Sequence, residues 1–281
     1  MANLSIKLSE DKIQKLKDTF KDYIKESPNE YIDTFISKEN VTISIYKSGK
    51  VLFQGEDALF YGESYIDTKF IRHAGSDEVG TGDFFGPVVV CASIVEKEDE
   101  KLLNSLNIKD SKEIDDEKIL KIGPTLKDKI KNTVLILDNE KYNEVHKSNN
   151  LNSIKAKLHN KAYLNLISKG YELPKLCYID DFCGEDKYFD YLKDQKEVYK
   201  DVILETKAEN KYLAVAVSSC IARYVFLKKM EELNDKYHMF FHKGASSDVD
   251  IDANTFVKKY GRDELNKVCK IHFKNYNNIN Y

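Results

Sequence analysis

Three groups of carboxylates stand at the ends of apolar segments. Asp77-Glu78 ends one such segment and runs straight into Val79-Gly80-Thr81-Gly82-Asp83. Asp180-Asp181 closes Leu176-Cys177-Tyr178-Ile179, and Glu209 precedes Leu213-Ala214-Val215-Ala216-Val217. Carboxylates that converge on one edge of a sheet repel each other unless a hard divalent cation compensates their charge. Oxygen donors select Mg²⁺ or Mn²⁺ over zinc, and two such ions stabilise the attacking and leaving oxygens of an in-line phosphoryl displacement. Phosphodiester hydrolysis is the chemistry this arrangement would serve. The alternative is that strand-end acids cap turns and helices, and spacing alone does not decide between the two. Neighbours on a regular strand point to opposite faces, so Asp77 and Glu78 reach one ion together only if the chain turns or bulges there, which the glycines permit.

The elements that must position these acids follow from periodicity. Residues 10–26 carry Ile13, Leu16, Phe20 and Ile24 at helical spacing. Val41, Ile43 and Ile45 alternate with polar neighbours, and Ser48-Gly49-Lys50 then turns the chain into Val51-Leu52-Phe53, the pattern of a hairpin. From Ile71 the texture changes to longer apolar strands alternating with helices, so a small α+β domain precedes an α/β domain with a mixed sheet. The boundary falls near 62–70, giving domains 1–65 and 70–281. Strands are predicted at 71–79, 86–95, 133–138, 175–181 and 202–206. Helices are predicted at 115–131, 151–168, 186–193 and 209–232, with two shorter ones after 253. The Asn-rich end, 274–281, reads as frayed.

Composition narrows the class. The 281 residues include 44 Lys+Arg against 47 Asp+Glu, a formal charge of −3, so nucleic-acid binding would need a local basic patch. No apolar run is long enough to cross a membrane, and the first residues lack a signal-peptide pattern, so the expected location is cytoplasmic. Five cysteines without a C-x-x-C pair read as reduced thiols. Six histidines without metal-ligand spacing read mostly as surface or packing residues. No coiled-coil heptads appear, and a monomer without an obligate protein partner is expected.

Gly75-Ser-Asp-Glu-Val-Gly-Thr-Gly-Asp-Phe-Phe-Gly-Pro87 resembles the signature of type 2 ribonucleases H, in particular ribonuclease HIII. The family's Asp-Ser-Lys motif is matched by Asp110-Ser111-Lys112, and its Asn-x-Ile-Lys-Ala-x-x-His-Asn stretch is resembled by residues 152–160. Tyr178-Ile179-Asp180-Asp181-Phe182 is similar to the third acidic motif, with Asp181 where Gln is usual, and Thr206-Lys207-Ala208-Glu209 to the fourth. Lys243-Gly244-Ala245-Ser246 resembles a family turn, expected on the substrate side. The resemblance implies a ribonuclease H-like fold preceded by a TATA-box-binding-protein-like domain that grips RNA/DNA hybrid. It implies Asp77, Glu78, Asp180 and Glu209 as catalytic acids, with Asp77, Glu78 and Asp180 binding Mg²⁺ or Mn²⁺. It also implies cleavage of the RNA strand to 5'-phosphate and 3'-hydroxyl ends. Asp180 is preferred to Asp181 because Ile179 precedes it, as in the motif. Glu209 and Thr81 favour ribonuclease HIII over ribonuclease HII, which has Asp and Arg at those positions.

Recognising RNA within a hybrid requires contact with 2'-hydroxyls, and the glycines of Gly80-Thr81-Gly82 allow close backbone approach to a sugar. Lys112, with Lys207 and Arg223, is a candidate for phosphate contact. In the first domain Tyr46, Lys47 and Lys50 combine an aromatic ring with positive charge and match the family's hairpin motif; lysines guarding a sheet edge are the plainer reading. Two other functions compete with hybrid cleavage: ribonuclease HII-type incision at single embedded ribonucleotides, and catalytically silent hybrid binding.

Overall fold

The computed structural model describes residues 2–63, 65, 70–108 and 114–280, and the chain divides into two compact units, Met1–Phe70 and Ile71–Tyr281. Asp110-Ser111-Lys112 lies outside the described residues.

The first unit runs β1 (Ala2–Lys7), α1 (Glu10–Thr19), a 3-10 turn (Lys21–Tyr23), β2 (Ile24–Lys25), β3 (Ile32–Lys38), β4 (Val41–Tyr46), β5 (Lys50–Gly55) and α2 (Ala58–Glu63). Its strands form an antiparallel sheet in the order β1-β5-β4-β3-β2. Val41, Ile43, Ile45, Val51 and Phe53 turn one face of this sheet inward, where Leu16 and Phe20 complete a core. The predicted hairpin is present: Gly49 adopts φ +79°, and its N–H donates to the Tyr46 carbonyl at 2.9 Å. The helix predicted over 10–26 stops at Thr19, because Ile24 and Lys25 pair with Ile36 and Phe35 of β3. Tertiary pairing overrides the helical pattern there.

The second unit holds β6 (His73–Val79), β7 (Val88–Val95), α3 (Glu100–Ser105), α4 (Asp116–Lys129), β8 (Lys131–Leu137), α5 (Asn139–His146), α6 (Leu151–Ser168) and β9 (Cys177–Asp180). It continues through α7 (Glu185–Asp190), β10 (Ile203–Glu205), a 3-10 turn (Ala208–Asn210), α8 (Leu213–Tyr237), α9 (Ser247–Tyr260) and α10 (Arg262–Leu265). The sheet order is β10-β9-β6-β7-β8, with β6, β9 and β10 parallel and β7 antiparallel to both its neighbours. Every residue of β7 is buried, as a central strand covered on both faces requires.

Helix α8 packs on β6 and β7, and α6 packs on β7 and β8. Gly75 sets how closely α8 lies on β6, since a Cβ there would stand 2.4 Å from the Val215 nitrogen. Hydrogen bonds pin the contact: Ser218 Oγ donates to the Gly75 carbonyl at 2.8 Å, Ser93 Oγ to the Ala214 carbonyl at 2.9 Å, and the Ala214 N–H to His73 Nε2 at 3.1 Å. The start of α8, and with it the turn carrying Glu209, is thereby fixed against the strand that carries Asp77.

Two expectations need correcting. Glu209 does not open the long helix but sits in the 3-10 turn before it, because Lys207 turns the chain in a left-handed conformation at φ +55°. The C-terminal stretch is not frayed: Asn275 is buried and donates to Asp250 Oδ1 at 2.6 Å, while Asn278 donates to Asp250 Oδ2 at 2.7 Å. Asparagine amides tie this segment to the Asp250 carboxylate in the first turn of α9, a role that composition does not reveal.

Candidate active site

Asp77 and Glu78 end β6, and Asp180 ends β9, its parallel neighbour. No bulge interrupts the strand at Asp77-Glu78, since the β6–β7 ladder stays in register through Val79. The two side chains therefore diverge. Asp77 accepts the Glu78 N–H at 2.8 Å, and the nearby Ser219 of α8 favours its ionised form. Glu78 turns toward α6, where Oε1 meets Lys155 Nζ at 2.5 Å and Oε2 meets His159 Nε2 at 2.9 Å. His159 is fixed in turn by Ser76 Oγ at 2.8 Å from its Nδ1. Asp180 Oδ1 accepts the Ala208 N–H at 2.9 Å, which draws the turn bearing Glu209 to the end of β9.

Charge differs sharply among these acids. Burial raises the affinity of Asp77 for its proton, and the adjacent Glu78 charge raises it further, with Asp180 adding in the same sense. Asp180 is raised as well, by burial first and by the Glu209 charge, against the Ala208 N–H. Glu78 goes the other way: burial would raise it, but His159 and Lys155 together hold it well below the usual carboxylate range. Among the described residues neither Asp77 nor Asp180 makes an ion pair, and an all-oxygen set in that condition suits a hard divalent cation. Among the described residues no three His, Cys, Asp or Glu side chains form a ready-made cage, so closing around an ion requires side chains to turn.

Other predicted residues take definite positions. Asp181 Oδ1 accepts the N–H groups of Cys183 and Gly184 at 3.0 and 2.7 Å, a turn-capping role. The Gly80-Thr81-Gly82 loop follows β6 directly, and Asp83 Oδ1 accepts the Gly244 N–H at 2.6 Å, joining this loop to the Lys243-Gly244 turn. Beneath it the ammonium of buried Lys270 donates to the carbonyls of Asp83 at 2.8 Å and Gly86 at 2.5 Å. Burial pushes Lys270 down to about 7. Arg223 does not present its guanidinium as a phosphate contact: it donates to Asp116 Oδ1 at 2.8 Å and to the Ile114 carbonyl at 2.5 Å. Lys207 is exposed.

His159, in the stretch that resembles the family's helix motif, lies fully buried against Glu78, a partner that histidine spacing alone did not reveal. Its spacing of four from Lys155 puts both residues on one face of α6, and this was the available signal. In the first unit Tyr46 and Lys47 line a groove of about 470 Å³ together with Lys7, Ser9 and Asp33. Lys50 is exposed and stands opposite Lys7 across the β1–β5 ladder, a pairing of like charges that the sequence did not suggest.

A mixed sheet with acids at adjacent strand ends, matched over residues 74–276 by the sequence model of the Ribonuclease HII family, defines a nuclease of the ribonuclease H class, a hydrolytic endoribonuclease. A model for a domain of unknown function matches residues 3–69. The chain is 40% identical to "Ribonuclease HIII" of Streptococcus gordonii, covering 98% of this chain and 97% of that one. It is 41% identical to "Ribonuclease HIII" of Bacillus cereus over 83% and 84% of the two chains. The crystal structure of Bst-RNase HIII in complex with Mn²⁺ superposes with a TM-score of 0.74 at 31% identity, covering 99% of this chain and 97% of that one. The chain belongs to the type 2 ribonuclease H family, in its ribonuclease HIII branch. Its fold is accordingly the ribonuclease H-like α/β fold preceded by a small sheet domain. No helix among the described residues is long and apolar enough to cross a membrane.

Proposed function

We propose that the chain hydrolyses the RNA strand of RNA/DNA hybrids, leaving 5'-phosphate and 3'-hydroxyl ends, with Asp77, Glu78 and Asp180 holding Mg²⁺ or Mn²⁺. Glu209 would help to place a second ion or assist departure of the product. The observation that carries this reading is the gathering of Asp77, Glu78, Asp180 and Glu209 into one field of like charge at the ends of β6 and β9. When bound, the divalent cation supplies Lewis acidity to the phosphodiester and to the attacking water. The Glu78 N–H orients Asp77, the Ala208 N–H orients Asp180, and His159 orients Glu78. We assign the working form to a cytoplasmic monomer.

The glycine loop supports RNA-strand contact in a specific way. Gly80 is demanded by the fold: its φ is +96°, and a Cβ would stand 2.2 Å from the Pro87 carbonyl oxygen. Gly82 is not. Its φ lies outside the left-handed region, and a Cβ there would meet no atom within 4 Å. A glycine that neither backbone nor packing requires is explained by close approach of a substrate. Gly82→Ala should therefore leave the unfolding temperature unchanged or slightly raised, with up to about 1 kcal/mol gained through the unfolded chain. It should nonetheless weaken hybrid binding by roughly tenfold, about 1.4 kcal/mol. Gly80→Ala should destabilise by about 2 kcal/mol. Undiminished hybrid affinity in Gly82→Ala would remove the loop from the substrate interface.

At the first unit, Lys7, Lys47 and Lys50 gather at one end of the sheet beside Tyr46. Lysines facing each other repel, and a phosphate backbone between them relieves that repulsion. We assign hybrid grip to this end, and we retain Lys112 as a phosphate contact on the strength of its motif.

The deciding assay is cleavage of three end-labelled substrates with Mg²⁺, Mn²⁺ or chelator: a long hybrid, a DNA duplex with one ribonucleotide, and single-stranded RNA. The expected result is metal-dependent cutting of the hybrid at several sites. Efficient incision at the lone ribonucleotide would move the assignment to ribonuclease HII-type activity, and binding without cutting would leave a silent binder.

A further inference from the structure

Glu78 is held by two groups of different mobility. His159 has no exposed surface, and its ring is locked between Glu78 Oε2 and Ser76 Oγ at 2.9 and 2.8 Å. Lys155 reaches Oε1 at the end of a flexible four-carbon stem. Its ammonium also lies 3.9 Å from the centroid of the Phe182 ring. Both partners of the ion pair are nearly enclosed, with side-chain exposures of 12% for Lys155 and 11% for Glu78. An enclosed ammonium is costly without a counter-charge, so Glu78 is the reason Lys155 can occupy this position.

A divalent cation drawn to Asp77, Glu78 and Asp180 enters the same field. Two cationic groups competing for one carboxylate oxygen repel each other, and the more mobile of them yields. We propose that Lys155 is an internal counter-cation that competes with the catalytic divalent ion for Oε1 of Glu78, so that metal binding breaks this ion pair and leaves the ammonium on the face of Phe182 that it already touches. The proposal rests on reading Glu78 as a metal ligand. His159 keeps Oε2 throughout and presents Oε1 to whichever cation is bound, in the manner of groups that orient a ligand from behind. The Phe182 ring supplies the displaced ammonium with a resting place, since its π face attracts a cation. Lys155 therefore does two things: it holds Glu78 in place before the ion arrives, and it sets the concentration of ion needed to fill the site.

The test is direct titration of Mn²⁺ into the full chain by calorimetry, with no substrate present. Removing a positive charge 2.5 Å from the oxygen in question takes away its repulsion of an incoming cation, so Lys155→Met should bind Mn²⁺ at least about tenfold more tightly than the parent. Lys155→Arg, which keeps the charge, should not tighten binding. Loss of the ion pair lowers the unfolding temperature of Lys155→Met without metal; by linkage, added Mn²⁺ should then raise that temperature by more than in the parent. Equal or weaker Mn²⁺ affinity in Lys155→Met overturns the proposal. Glu78→Gln separates the two layers. If it weakens Mn²⁺ binding while Lys155→Met fails to tighten it, only the counter-cation falls; if it leaves binding unchanged, Glu78 is no ligand and both fall.

Discussion

Asp77→Asn should abolish cleavage and at the same time make the metal-free protein harder to unfold. The first effect follows from the proposed role. A carboxylate that holds a catalytic cation supports several kcal/mol of transition-state stabilisation, and each 1.36 kcal/mol is a factor of ten, so a loss of at least about 10³ in kcat is expected. Hybrid affinity, set by contacts elsewhere, should change little. The second effect follows from the direction of the Asp77 shift. Burial and the Glu78 charge raise its pKa above the usual carboxylate value, so between the unfolded and folded values the unfolded chain has released a proton that the folded chain retains. Stability from this group is full below the ordinary carboxylate range and declines as pH rises through the folded value. Near neutral pH a neutral amide of the same shape removes that penalty. Thermal unfolding in chelator should show Asp77→Asn at or above the parent, and Mg²⁺ should raise the parent but not the variant. A variant that loses cleavage and hybrid binding equally would contradict the assigned role.

Removing residues 1–62 should weaken binding to a long hybrid by about 10²-fold while leaving the remainder folded. Two binding surfaces on one chain act on each other through effective concentration, and loss of one commonly costs 10² to 10⁴ in affinity. The second unit carries its own five-stranded sheet and its own core around Val88, Val90, Ala92 and Tyr163, so its circular dichroism and cooperative unfolding should persist. With hybrid in excess, kcat should stay close to that of the full chain. If affinity survived truncation, the lysine-rich end at Lys7, Lys47 and Lys50 would have no part in holding substrate.

The parts of the molecule that could be read in sequence are those with local signals. Helix α6 was predicted at its observed bounds, since Asn150 caps it by accepting the Ser153 N–H at 2.8 Å and Gly170 follows its end at φ +81°. Helix α5 was missed because Tyr142 and Val145 are its only large apolar residues, too few to show a helical period. Strand β3 was missed because a register shift between Ile32 and Thr34 breaks its alternation. The four acids were visible as strand and turn ends. Their surroundings were not: Lys155 and His159 reach Glu78 from α6, across a distance that only the fold closes. Arg223 looked free for phosphate because Asp116, its partner, lies 107 residues away in the chain.

The clasp beneath the glycine loop also bears on how the chain is made. Lys270 binds the Asp83 carbonyl across 187 residues, and Gly244 binds the Asp83 side chain across 161. Synthesis proceeds from the N-terminus at about 5–20 residues per second, so Asp77, Glu78, Asp180 and Glu209 are all translated before either clasp residue. During that interval the growing chain holds every acid of the site, while the loop beside them is still untethered. Contacts of such long sequence separation also close slowly. The last step in maturation should therefore be the docking of the C-terminal segment under this loop, and cleavage activity of a stalled nascent chain should appear only once Lys270 has cleared the ribosome.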